Sequence, residues 1–148
     1  MSVYDYILAL LHVAKVEKAE VTATKLQKIF FIMEKEKSVN LGLNFKPYLF
    51  GPYSEKLQNS LYELVDKGLV KINYDDVKNL AGTTVGYKES YELEKDIKID
   101  VSEEVLSFFR QWVKKNRNEI LEYVYGKYPE YIEYSLIKDK FKGNTYGK

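Results

Sequence analysis

The chain of 148 residues has no cysteine, one histidine, three prolines and two arginines, and no apolar run long enough to cross a bilayer. Without cysteine there is no disulfide framework, no thiolate metal site and no cysteine nucleophile. The single histidine, His12, cannot supply the usual zinc set. It reads either as a boundary residue of the first helix or as a general base or ligand. No Walker A, Gly-x-Gly-x-x-Gly or Gly-x-Ser-x-Gly pattern occurs, so neither phosphate cradling by a glycine-rich loop nor a serine elbow has support. No Asp-x-Asp-x-Asp-Gly calcium loop occurs either. Met1 to Tyr6 lacks a basic region, and the apolar stretch Ile7–Leu11 stops at His12. No signal peptide, membrane contact or lipid anchor is expected, and a cytoplasmic location is. The expectation is therefore a protein that is not an enzyme, with no catalytic residue, no metal and no cofactor. Glu92 and Glu94, two apart on a strand and sharing a face, hold open a metal-dependent hydrolase or nuclease.

Charge of one sign is also missing. The chain holds 23 basic and 22 acidic residues, a net of +1. Residues 1–100 carry 14 lysines against 15 acids, and residues 101–148 nine basic residues against seven acids. A non-specific DNA binder normally has a clear basic surplus, although net charge says nothing about clustering.

What the chain does have is a 45% apolar fraction and 14 tyrosines. That composition is globular, and the length suits one domain, 1–148. Ile7, Leu10, Leu11 and Ala14 recur at helical spacing over 3–17. Thr22 or Thr24 caps a second helix running to about Lys37, with Leu26, Ile29, Phe30 and Met33 on one face. Phe45–Phe50 reads as a short edge strand because it contains Pro47. Gly51-Pro52 punctuates the chain, Ser54 caps a helix over 55–67, and Gly68 closes it. Leu69–Tyr74 and Thr83–Leu93 read as strands joined by the loop Asp75–Gly82, a β-wing. Ser102 opens a helix that pauses near Asn116–Asn118, continues through Tyr125 and ends at Gly126 and Pro129. A last helix is expected over 130–141. The fold class is α+β, mainly α. Residues 1–95 give a winged helix-turn-helix core in the order helix-helix-strand-helix-strand-strand. Two or three C-terminal helices follow over 101–141.

In that order the helix 55–67 takes the position that enters a major groove. Lys56, Gln58 and Asn59 are expected on its outer face, where the two amides suit adenine edges and the lysine a phosphate or guanine. Yet residues 54–67 hold two lysines and three acids, and carboxylates repel phosphates. The helix reads either as a DNA contact or as a solvated, protein-facing surface. The wing adds Lys71, Lys78 and Lys88. Arg110, Lys114 and Arg117 form one basic stripe if their helix is continuous, facing a phosphate backbone, an acidic partner or only solvent. Tyr48, Tyr53, Tyr62, Tyr131 and Tyr134 are candidates for a partner contact, since tyrosine is favoured at interfaces. Core packing or a homodimer explains them too.

Thr24-Lys25-Leu26-Gln27-Lys28 and Phe50-Gly51-Pro52-Tyr53-Ser54, followed by Lys67-Gly68-Leu69-Val70, together resemble small prokaryotic YwgA-like proteins and the related SocA-like, or Panacea, antitoxin domains. Tyr128-Pro129-Glu130, Ser135 and Ile137-Lys138-Asp139 are similar to the C-terminal part of archaeal YwgA-like members. The resemblance implies a small helical domain with a winged-helix-like core and no catalytic residue. In the SocA-like branch it implies regulation through protein contacts, such as neutralising a toxin. Double-stranded DNA and a toxin-like protein are thus the two expected partner classes: a regulatory nucleic-acid-binding protein, or an adaptor that works without DNA.

Overall fold

The computed structural model describes residues 2–131. Helix α1 (Val3–Glu17) opens on Ser2, whose N–H donates to the Asp5 carboxylate at 2.9 Å. It closes on Lys18 in the left-handed region. The chain then extends: the Val21 carbonyl accepts from the Tyr91 N–H at 2.9 Å, and Thr22 bridges antiparallel to Ser90. Thr22, not Thr24, caps helix α2 (Ala23–Glu36), its hydroxyl accepting from the Lys25 N–H at 3.3 Å. Every residue from Lys25 to Met33 is buried. A helix buried on all sides is a central one, and α2 packs against α4, α5 and two strands described below.

The expected lone strand over Phe45–Phe50 is instead a hairpin of β1 (Lys46–Tyr48) and β2 (Gly51–Tyr53). Leu49 and Phe50 make the turn, and Gly51, with φ of 94°, brings the chain back. Pro47 lies opposite Pro52, so neither missing N–H breaks a longer ladder. Helix α3 (Glu55–Asp66) follows, with the Ser54 hydroxyl accepting from the Leu57 N–H at 3.1 Å.

Strands β3 (Val70–Lys78) and β4 (Thr84–Leu93) form a long antiparallel hairpin. Asp75–Lys78, expected in the loop, stay in the ladder, and the tip shrinks to 79–83. There the Asn79 side chain accepts from the Ala81 and Thr83 N–H groups at 3.0 Å each. Helix α4 (Glu103–Val113) and helix α5 (Arg117–Lys127) are separate: Asn116 and Glu119 form a reciprocal cap, two bonds of 2.9 Å, that starts α5 anew. Gly126 lies inside α5 rather than ending it. Pro129–Tyr131 form a 3-10 turn, and the rest of the helix expected over 130–141 lies outside the described residues.

The fold is α+β, with five helices and two small antiparallel sheets among the described residues. One continuous core draws Leu10, Leu26, Phe30, Leu61, Phe109 and Val124 from all five helices. Glu36 fastens the C-terminal end of α5 to that of α2. Its carboxylate accepts from the Tyr123 and Tyr128 hydroxyls, at 2.8 Å each, and pairs with Lys127 at 3.0 Å. Burial opposes the charge on Glu36, but these donors outweigh it and its pKa is lowered. No helix among the described residues is long and apolar enough to cross a membrane.

Candidate functional site

The surface singled out for DNA is only partly a surface. Gln58 is 7% exposed. Its amide N–H donates to the Tyr91 hydroxyl at 3.1 Å and its carbonyl accepts from Gln27 at 3.3 Å. It therefore cannot read a base edge, which corrects its placement on the outer face of α3. Position 58 flanks the Leu57/Leu61/Leu64 stripe, and Tyr91 of β4 reaches over that flank. Asn59 is exposed as expected. Lys56 donates to the Leu41 carbonyl at 3.2 Å, and Tyr62 donates to Glu89 at 3.0 Å. Exposed Glu55, Glu63 and Asp66 make the outer face of α3 acidic.

The other candidate cations are mostly matched. Lys71 lies 4.0 Å from Glu92, and Lys88 lies 3.1 Å from Glu20. Arg110 pairs with Glu103 at 2.6 Å and Lys114 with Glu17 at 3.3 Å. Such exposed pairs add little stability, but they cancel local positive charge. Arg117 stacks over the Phe50 ring at 5.4 Å. Because the helix breaks after Val113, Arg110, Lys114 and Arg117 do not form the continuous stripe that helical spacing predicts. Lys78 stands exposed near the wing tip. Among the described residues no group of acids is placed to hold a metal ion, and Glu92 serves Lys71 instead.

The wing carries a different signal. Strand residues two apart share a face, and the register puts Val70, Ile72, Tyr74 and Asp76 on the face of Leu93, Tyr91, Glu89 and Tyr87. At its base this face is core: Val70, Tyr91 and Leu93 are buried. Further out it leaves the body of the protein, and Tyr74 and Tyr87 become 63% and 72% exposed. They lie diagonally across the ladder, within reach of each other. Leu80 at the tip and Val77 and Val85 beside it are also exposed.

The segments Thr24–Lys28 and Phe50–Ser54 meet inside the molecule. Gln27 clamps Ser54: its carbonyl accepts from the Ser54 N–H at 2.7 Å and its amide donates to the Ser54 carbonyl at 3.0 Å. The Ser54 hydroxyl donates to the Leu43 carbonyl at 2.6 Å. From Gln27 the network runs through Gln58 to the Tyr91 hydroxyl, which donates to Glu89 at 2.6 Å. Burial, and then the bond to Glu89, raise the Tyr91 pKa. Lys25 points the other way and donates to the Val113 carbonyl at 2.6 Å and the Glu20 carbonyl at 3.0 Å, closing the exposed end of α4. Burial lowers its pKa.

Lys28 has no such acceptor. It is 3% exposed, and no hydrogen bond or ion pair reaches its amine among the described residues. Its Cε packs under Gly51, beside the fully buried Tyr125. Burial, with the Arg117 charge nearby, brings its pKa down to about 7. Lys28 lines a cavity of about 260 Å³ together with Thr24, Gln27, Phe50, Gly51 and the Tyr48/Tyr53 pair, whose ring centroids are 5.3 Å apart.

A lysine whose folded pKa lies below its unfolded one binds fewer protons in the folded state between about pH 7 and 10.5. Its penalty is thus complete below pH 7 and relieved as pH rises through that window. Lys28→Met should therefore raise the stability of the ligand-free protein by about 1–4 kcal/mol near pH 6. The gain should shrink toward pH 10, as read by denaturant melts at both pH values.

Of the remaining tyrosines, Tyr131 packs edge-on to Phe31 at 4.7 Å, and Tyr134 lies outside the described residues. Sequence reasoning found Ser54 as a helix cap but missed its bonds to Gln27 and Leu43, and missed the burial of Gln27 and Lys28. The signal available was three polar residues, Lys25, Gln27 and Lys28, crowded into the most apolar part of α2. No protein-family model matches the chain, and no curated protein sequence matches it.

Proposed function

We propose that the chain is a non-enzymatic binding protein of winged-helix type that acts by gripping another protein with the outer end of its wing. The succession α1, extended Thr22, α2, α3, β3, β4 supports the winged-helix assignment: the residues between α1 and α2 pair with β4, where a winged helix has its first strand. The β1–β2 hairpin is then an insertion between the second and third helices.

The observation that carries the functional reading is the exposed pair Tyr74 and Tyr87, continuous with the core face of the hairpin. Rigid aromatic side chains on a protruding ribbon suit a protein contact, where they supply most of the affinity. The acidic outer face of α3 and the pairing of the wing cations Lys71 and Lys88 weigh against duplex DNA. The antitoxin-type resemblance points to the same class of partner, a toxin-like protein with an apolar patch.

The test is Tyr74→Ser/Tyr87→Ser. Both side chains are exposed, so stability should stay within about 0.5 kcal/mol of the parent. Affinity for a co-purified partner, measured by calorimetry with both proteins pure, should fall more than tenfold, a typical effect of losing one aromatic anchor. Unchanged affinity would overturn the proposal. So would binding of duplex DNA with a steep salt dependence, which would restore the nucleic-acid reading.

A further inference from the structure

We propose that the cavity between α2 and the β1–β2 hairpin is a binding site for a small organic anion, one carboxylate or phosphate head on an apolar or aromatic body, with the Lys28 amine as its counter-charge. The site is separate from the wing and does not rest on the protein-contact reading.

A buried amine with no acceptor is unfavourable, and proteins pair or solvate such groups. Lys25, three residues earlier on α2, shows the ordinary solution, with two carbonyl acceptors. Lys28 faces a cavity instead, and no carboxylate among the described residues pairs with it. The charged and titratable groups around it are Arg117 and Tyr125 from α5 and Tyr48 and Tyr53 from the hairpin. None of these supplies a negative charge at neutral pH. The two cations repel each other, and an anion beside Lys28 would offset that repulsion.

The rest of the wall fixes the kind of anion. Phe50, Leu49 and Ala23 are apolar, and Tyr48 and Tyr53 lie as tilted plates. Thr24 is the one further polar residue of the wall not already committed, because the Gln27 amide is held by Ser54 and Gln58. Ligand pockets usually combine such an apolar lining with a few fixed polar groups. At about 260 Å³ the space admits a single ring with its charged head, not a nucleotide. Gly51 matters here because a side chain at its position would press on Lys28 and Tyr125 and shift the amine.

Phenyl phosphate is the probe, with inorganic phosphate as the control for the head alone. In NMR of the intact chain, phenyl phosphate should shift the Thr24 and Gly51 amides and move the titration midpoint of the Lys28 Cε resonance upward by more than one pH unit. Inorganic phosphate should do the same more weakly. Lys28→Met should weaken phenyl phosphate binding at least tenfold. Arg117→Gln, at an exposed residue that stacks on the Phe50 wall of the cavity, should weaken it severalfold while the fold persists. An unmoved Lys28 midpoint in the parent protein, or equal binding by Lys28→Met or Arg117→Gln, overturns the proposal.

Discussion

Gln58→Ala should lower the stability of the fold by about 2–4 kcal/mol, the cost of opening a buried polar network and leaving a small cavity. Gln58 sits midway along a chain of bonds that joins α2 to α3 and α3 to β4. Without it, one Gln27 N–H loses its 3.3 Å acceptor and the Tyr91 hydroxyl loses its 3.1 Å donor, both in the interior. Tyr91 still donates to Glu89, so the hydroxyl is not orphaned outright. Gln27 likewise keeps Ser54. These surviving bonds keep the expected cost below that of a wholly unsatisfied pair. Asn59→Ala, one residue on and exposed, should change stability by less than about 0.5 kcal/mol. Paired thermal or denaturant melts of the two variants separate the roles. Equal stabilities would mean that position 58 faces solvent after all, and would return it to the list of possible base-reading residues.

The contrast between positions 58 and 59 also shows where sequence reasoning stops. Helix α3 is legible because Leu57, Leu61 and Leu64 recur at helical spacing behind Ser54, and a hydroxyl there has an obvious task at a helix start. Helices α1 and α4 are legible for the same reasons. Spacing alone, however, gives the centre of a buried stripe and not its width. Whether position 58 is dry depends on Tyr91, 33 residues later. Helix α2 fails in the opposite way. The stripe through Leu26, Ile29, Phe30 and Met33 gives only one buried face, whereas neighbours on several sides bury every residue from Lys25 to Met33. The hairpin at 46–53 was hidden because three-residue strands carry too little alternation to be told from one longer strand. The break at Asn116 was visible as a pause, and only the reciprocal bonds with Glu119 show that it ends the basic stripe. The protruding aromatic face of the wing became readable only once the register placed Tyr74 and Tyr87 together.

Gly51→Ala should cost about 2–4 kcal/mol, combining the strain of a left-handed backbone with crowding against a packed interior. Gly51 has φ of 94°, a conformation side chains rarely adopt. A Cβ there would lie 3.1 Å from the Tyr125 hydroxyl oxygen, 3.2 Å from its Cε1 and 3.3 Å from the Lys28 Cε. Lysine can give way, but the Tyr125 ring is fully buried and cannot. Gly68 and Gly82 separate the two contributions, because both have positive φ and open space where a side chain would go. Gly68→Ala and Gly82→Ala should therefore show the backbone strain alone, about 1–2 kcal/mol. The excess at position 51 measures how tightly the Gly-Pro turn is pressed onto α2 and α5. Should the three alanine variants melt alike, the close approach of that turn to Lys28 and Tyr125 is wrong. The cavity that depends on it would then be wrong as well.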